Sequence, residues 1–267
     1  MIVFPNAKIN LGLNIIRKRQ DGYHELETCF YPIPWQEALE MAKAEKTTVT
    51  VSGIEVPDDG DNIVLKAYQL LKADYNIPPV QIHLHKVIPI GAGLGGGSAD
   101  AAFALILLNS MFSMGLDDEQ LMKYAVTLGA DCAFFIKNKP MMAEGIGEQL
   151  EEIEVSLKGK FVLLVYPNIH ISTREAFSKI NPKKTEKSIK HILLGESISG
   201  WKHALENDFE LTLFKTYPLL QELKQRLYES GALYASMSGS GSCMYGIFKE
   251  DPQIDFPDTY KTWSGRL

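Results

Sequence analysis

The chain has 267 residues, 45% of them hydrophobic, enough to bury the core of one large domain or of two modest ones. Its formal charge of −6, from 27 Lys and Arg against 33 Asp and Glu, excludes a broad basic surface for a nucleic-acid backbone, so an anionic ligand has to be held locally. Cys29, Cys132 and Cys243 are far apart and odd in number, which supports neither a disulfide framework nor a CxxC-type metal site. Pro5, Asn6 and Lys8 interrupt a signal-peptide core, and the longest apolar run, Ala101 to Leu108, is too short to cross a bilayer; the expectation is a cytoplasmic protein with no membrane partner.

In chain order, β-rich stretches come first: Lys8 to Ile16, His24 to Ile33 and Thr47 to Val51, with turn chemistry at Gln20-Asp21-Gly22, read as an antiparallel opening. Asp61 is placed to cap a helix whose apolar positions Ile63, Val64, Ala67, Leu70 and Leu71 fall near helical spacing. Val80 to Val87 alternates, with Ile82 and Leu84 opposite Gln81, His83 and His85, and predicts a strand leading into Pro89. After a glycine run, Ala99 to Phe112 reads as a nearly all-apolar buried helix; Asp117 with Gln120 opens another, which Gly129 stops. Phe161 to Tyr166 is a continuous apolar strand, the segment around Lys183, Lys184 and Lys187 a solvated loop, and Tyr217 to Tyr228 carries a helical stripe. Leu233 to Met237 and Ser242 to Phe248 return to strand. Strands and helices mix without a regular βαβ repeat or internal period, so the class is α+β, with a domain boundary in the short polar turn Ser156 to Lys160.

The sharpest feature is Pro89-Ile90-Gly91-Ala92-Gly93-Leu94-Gly95-Gly96-Gly97-Ser98-Ala99-Asp100, between a strand and an apolar helix. Five glycines in seven residues lose conformational entropy on folding that an ordinary turn would spare. Without Cβ atoms the backbone can take positive φ and approach phosphate oxygens, while the following helix points free N–H groups and its positive dipole end at the same place. The loop reads as a phosphate cradle. Gly91-x-Gly93-x-x-Gly96 also fits the dinucleotide fingerprint, but no second strand follows to carry the acidic residue that reading needs, and no Gly-Lys-Ser/Thr follows to make a Walker loop.

Two further segments accompany this loop: Pro5-Asn6-Ala7-Lys8-Ile9-Asn10-Leu11 with Arg19-Gln20-Asp21-Gly22-Tyr23-His24-Glu25-Leu26-Glu27-Thr28, and Met237-Ser238-Gly239-Ser240-Gly241-Ser242-Cys243. Together, in this order, they resemble the three motifs of the GHMP kinases. The Asp-Gly-Tyr-His stretch is similar to that of the diphosphocytidyl-methylerythritol kinases, and homoserine, mevalonate and galactose kinases lack it.

The resemblance implies a two-domain GHMP kinase fold: an S5-like ATP-binding domain over residues 1–157 and a ferredoxin-like α/β-sandwich substrate domain over 158–267. It implies ATP as co-substrate with Mg²⁺ arriving on it, and diphosphocytidyl-methylerythritol as acceptor. A different GHMP kinase, for homoserine or mevalonate, and a non-catalytic nucleotide sensor are the alternatives; the presence of both Lys8 and Asp131 argues against the sensor.

By the same resemblance Asp131, in Gly129-Ala130-Asp131-Cys132, is the base for the acceptor hydroxyl and Lys8 its partner, residues that would otherwise pass as a turn former and a surface charge. Lys86 and Asn62 fall on the ATP side, near phosphate and adenine. Tyr23 and His24 would ordinarily be a packed strand pair, but a cytosine ring needs an aromatic face and a planar hydrogen-bonding edge, which they can supply. Phe177 is the implied opposing face, with Thr173 and Asn10 as polar contacts. His83 and His85 are two ligands at most, too few for a structural metal site, and the cysteines read as small buried residues.

Overall fold

The computed structural model describes residues 1–55, 62–178, 180, 182 and 187–267. In chain order the elements are β1 (Ile2–Val3), β2 (Asn6–Lys18), β3 (His24–Gln36), β4 (Ala38–Lys43), β5 (Thr48–Gly53), α1 (Ile63–Asp74), β6 (Val80–Lys86), α2 (Gly96–Phe112), α3 (Asp118–Leu128), α4 (Cys132–Lys137), β7 (Met141–Gly145), β8 (Gln149–Glu152) and β9 (Phe161–Tyr166). Then follow α5 (Thr173–Ser178), α6 (Ile189–Gly195), a 3-10 turn at Gly200–His203, α7 (Glu210–Thr216), α8 (Pro218–Glu229), β10 (Tyr234–Met237), β11 (Met244–Phe248) and β12 (Lys261–Arg266).

One compact unit comprises Met1–Ala7, Trp35–Ile90 and Gly95–Lys139, around a sheet of order β1-β4-β6-β5. β4 runs antiparallel to β1 and β6, as the alternating pattern implies, but β5 is parallel to β6. The antiparallel opening expected from the sequence is corrected there: α1 lies between β5 and β6 in the chain, and a helical crossover lets neighbouring strands run the same way. Asn62 caps α1 by accepting the Val64 N–H at 2.9 Å; Asp61, expected in that role, lies outside the described residues. Val64, Ala67, Tyr68 and Leu71 make the buried face of α1, which packs on α2.

Helix α2 starts at Gly96 rather than Ala99. Glycine is a poor helix former, so the first helical turn reads as loop in the sequence. Its buried residues include Ala99, Ala101, Ala102, Ala104, Leu105, Leu107 and Leu108, and it covers β4. Each leucine so buried contributes about 1.5–3 kcal/mol. At the start of α3, Asp117 and Gln120 form the expected capping box, and Gly129 closes the helix.

The second unit comprises Lys8–Pro34, Gly91–Leu94 and Pro140–Leu267, with sheets of order β2-β3-β7-β8 and β10-β11-β9-β12. The pairs β3/β7, β7/β8, β10/β11, β11/β9 and β12/β9 are antiparallel. Pro218 starts α8, where its missing N–H costs nothing, and Leu220, Leu223 and Leu227 pack into a core with Leu13, Ile15, Phe209, Ala235 and Met244. Lys187 is exposed, in keeping with a solvated loop; Lys183 and Lys184 lie outside the described residues. Cys29, Cys132 and Cys243 are buried free thiols, and burial raises each pKa, to about 12 for Cys29 and Cys132. Among the described residues no helix is long and apolar enough to cross a membrane.

Candidate active site

The glycine run straddles the division between the units: residues 91–94 belong to the second and Gly95 onward to the first. Gly91, Gly93 and Gly95 all take positive φ, at +67°, +79° and +72°. Gly93 has no room for a side chain, since a Cβ there would lie 2.0 Å from the Ser238 carbonyl oxygen. Residues 92–94 are clasped in the second unit by neutral donors: the Cys243 N–H to Ala92 O (3.1 Å), Ser238 Oγ to Gly93 O (2.8 Å) and the Lys8 N–H to Leu94 O (2.9 Å). Asn207 holds the other side of this clasp. Its Nδ2 donates to the carbonyls of Met237 and Gly239, both at 2.8 Å, so the third motif is fixed as a turn.

In the first unit, Pro89 is buried, Ile90 is exposed, and Gly95 occupies the N-cap position of α2 without a capping side chain. The N–H groups of Gly96, Gly97 and Ser98 therefore open the helix at its positive end. A Cβ on Gly97 would meet no atom within 4 Å. Ala99 is buried, its N–H donating to Gly95 O at 2.9 Å.

Of the residues expected on the nucleotide side, Asn62 caps α1 through its side-chain oxygen. Lys86 is buried, with Nζ 2.5 Å from Glu37 Oε1 and 2.7 Å from Asp100 Oδ2. Burial lowers the pKa of this ammonium, but the charges of Asp100 and Glu37 outweigh it and hold Lys86 above its ordinary value.

Lys8 is buried, in the second unit. Its Nζ donates to Asn10 Oδ1 (2.6 Å) and to Gly93 O (3.2 Å), and it lies over the Phe30 ring, 4.8 Å from the centroid. Asn10 Nδ2 in turn donates to Thr28 Oγ1 (3.0 Å), which donates to Gly12 O (2.5 Å). Three motif residues thus share one buried chain of hydrogen bonds, in which Asn10 helps to orient the Lys8 ammonium. Asp131 belongs to the first unit, at the N-cap position of α4, where its carboxylate makes no capping bond and is half-buried.

On the expected substrate side, the turn before β3 is tied by Arg19 to Asp21 (2.8 Å) and by the Tyr23 N–H to Asp21 Oδ1 (3.1 Å), with Gly22 at φ +88°. Tyr23 is 62% exposed. His24 stacks on Phe177, with ring centroids 5.0 Å apart and planes at 24°, and Phe177 meets Phe209 edge-on at 4.9 Å. Burial, and then the charge of Lys18, lowers the His24 pKa and favours the neutral ring. Thr173 opens α5 four residues before Phe177, on the same helical face. His83 and His85 bond to the hydroxyls of Thr50 and Ser52.

Sequence reasoning missed Glu37 and Asn207. Glu37 follows a strand with no motif around it, whereas Asn207-Asp208 before Phe209 is a local helix-entry signal: Asn207 Oδ1 accepts the Phe209 N–H at 3.0 Å.

With this geometry in hand, the kinship of the chain is well defined. Residues 62–139 match the model of the GHMP kinases N terminal domain and residues 188–256 that of the GHMP kinases C terminal. A 4-diphosphocytidyl-2-C-methyl-D-erythritol kinase of Bacteroides fragilis is 53% identical over 259 residues, covering 95% of this chain and 94% of the relative. A crystal structure of a 4-(cytidine 5'-diphospho)-2C-methyl-D-erythritol kinase superposes with a TM-score of 0.82 at 30% identity, covering 99% and 98% of the two chains. The mevalonate kinase of Methanococcus jannaschii shares the fold, with a TM-score of 0.73 and 15% identity over 100% and 98% of the chains. The chain belongs to the GHMP kinases and, among them, to the family of 4-diphosphocytidyl-2-C-methyl-D-erythritol kinases.

Proposed function

We propose that the chain transfers the γ-phosphoryl group of ATP to the C2 hydroxyl of 4-diphosphocytidyl-2-C-methyl-D-erythritol, in the non-mevalonate route to isoprenoid precursors. The observation that carries the choice of acceptor is the stack of His24 on Phe177 directly after the Asp-Gly-Tyr-His turn, an aromatic wall with a hydrogen-bonding edge suited to a cytosine. Tyr23 supplies a second, exposed ring, and Thr173 and Asn10 supply polar contacts.

In this reading the backbone of residues 89–99 and the N-terminus of α2 hold the phosphates, with Lys86 and Asn62 behind them. Asp131 accepts the proton of the attacking hydroxyl, and the Lys8 ammonium, fixed by Asn10, favours the ionised form of the reacting oxygen. Mg²⁺ enters with the nucleotide. When bound there it would neutralise phosphate charge. A domain boundary after residue 157 and a cytoplasmic location, consistent with three buried unpaired thiols, belong to the same proposal.

The test is ATP consumption with diphosphocytidyl-methylerythritol beside homoserine and mevalonate. Turnover with the first alone is expected; turnover with either of the others at comparable kcat/KM removes the assignment. In the same assay Asp131→Asn should lower kcat by about 10²–10⁴-fold, because an amide cannot take the proton.

A further inference from the structure

Val87 and Ile88 lead into the glycine loop, and Gly96 to Asp100 lead out of it as the start of α2. Glu37, between β3 and β4, reaches both stems. Its Oε2 accepts the backbone N–H groups of Val87 (2.8 Å) and Ile88 (3.1 Å), and its Oε1 accepts Lys86 Nζ (2.5 Å). The same Oε1 lies 3.2 Å from where a Cβ on Gly96 would stand, so this carboxylate also abuts the first turn of α2. Lys86 completes the bridge by donating to Asp100 Oδ2 at 2.7 Å. All three side chains lie within one compact unit and are almost wholly buried. Asp100 Oδ1 is buried with no hydrogen-bond partner among the described residues.

Two carboxylates against one ammonium, out of water and with an oxygen left over, are costly to fold. A junction that needed only to pack would be better served by apolar side chains of the same volume. We infer that Glu37 and Asp100 are positioning residues for the nucleotide: acting through Lys86, they fix the spacing of the two stems of the glycine loop and so the direction of its N–H groups. The inference rests on the reading of that loop as a phosphate cradle.

The cluster is also titratable. Burial raises the Asp100 carboxyl to about 7; Lys86 opposes the rise and Glu37 adds to it. Below that pH the Asp100 carboxyl is protonated and adds no charge to the cluster. Above it, an extra negative charge sits in the second turn of α2, close to the proposed phosphate position, and works against anion binding.

The experiment is calorimetric binding of a non-hydrolysable ATP analogue and, separately, of a cytidine nucleotide, to wild type, Glu37→Gln and Asp100→Asn, with thermal unfolding to confirm the fold. Glu37→Gln sets an amide N–H₂, itself a donor, against either Lys86 Nζ or the N–H groups of Val87 and Ile88; it should weaken the ATP analogue about tenfold or more, the loss expected of one charge-assisted hydrogen bond, and spare the cytidine nucleotide. In wild type, affinity for the analogue should fall between about pH 6 and pH 8 more steeply than in Asp100→Asn, which shares the nucleotide's own titration but lacks the carboxyl. A merely structural role would not alter that slope. Equal weakening of both ligands by Glu37→Gln, or its unchanged affinity for the analogue, would overturn the inference. If Glu37→Gln does not fold, parallel pH curves for wild type and Asp100→Asn overturn it alone. If wild type binds the cytidine nucleotide but no ATP analogue, the cradle reading itself fails and takes this inference with it.

Discussion

The two halves of the glycine loop are held by opposite physics. Residues 92–94 are clasped by uncharged groups, the Ser238 hydroxyl and the N–H groups of Cys243 and Lys8, with the Lys8 ammonium adding a contact to Gly93 O at 3.2 Å. The other half, from Gly95 to Asp100, is stapled to the strand before it by three buried ionisable side chains, Glu37, Lys86 and Asp100. Neutral bonds to carbonyls do not titrate and depend on close approach, so the first half is sensitive to volume. Buried charges depend on protonation and pairing, so the second is sensitive to charge. One loop therefore combines a part that tolerates pH but no side chain at Gly93 with a part that has room for a methyl group at Gly97 and responds to pH.

The largest expected effect breaks the first half. Gly93→Val places a Cβ 2.0 Å from a backbone oxygen at φ +79°, where neither partner can yield cheaply, and should cost about 3–5 kcal/mol in chemical denaturation. A loss below about 1 kcal/mol would mean the clasp has slack that the geometry does not show.

A smaller effect sharpens the second half. Because the folded pKa of Asp100 is raised from 3.8 to about 7, the folded state binds more protons than the unfolded state inside that window. Unfolding free energy from this group therefore falls as pH rises from about 4 to 7, by at most about 1.4 kcal/mol per pH unit. The Asp100→Asn variant should lack that decline, giving a flatter stability curve than wild type in urea titrations across the window. Superimposable curves would show that Asp100 ionises as freely as in the unfolded chain.

How much of this was legible in the sequence follows from the range of the interactions. The glycine loop, the Asp117–Gln120 box and the apolar stripe of Tyr217 to Tyr228 are local signals, and each is legible; the start of that last helix at Pro218 comes from the structure. The first turn of α2 is not legible, since glycine at positions 96 and 97 contradicts helix propensity; such a local conflict is expected where backbone is kept bare for a ligand. The parallel pairing of β5 with β6 needed knowledge that α1 crosses between them. Lys8, Asp131, Tyr23, His24 and Phe177 came from family resemblance, and the contact of His24 with Phe177 joins segments that no spacing rule connects. By itself Asp100 signals no more than a favourable charge at a helix start. Its partnership with Lys86 and Glu37 brings together three distant positions, and a lone glutamate after a strand carries no signal of it.

The most direct test of the central claim, that the glycine loop holds ATP while the His24 wall holds a cytidine, is one set of binding isotherms. Gly97→Ala and His24→Ala are each titrated with an ATP analogue and with a cytidine nucleotide. Gly97 has open space around it and sits in the first helical turn, so alanine should leave stability the same or raise it by up to about 1 kcal/mol, yet put a methyl group where phosphate is to approach. His24→Ala removes a stacking and hydrogen-bonding ring worth about 1–3 kcal/mol of base binding. The account predicts that Gly97→Ala weakens only the ATP analogue and His24→Ala only the cytidine nucleotide. Loss of both ligands in either variant, or of neither in both, would contradict it.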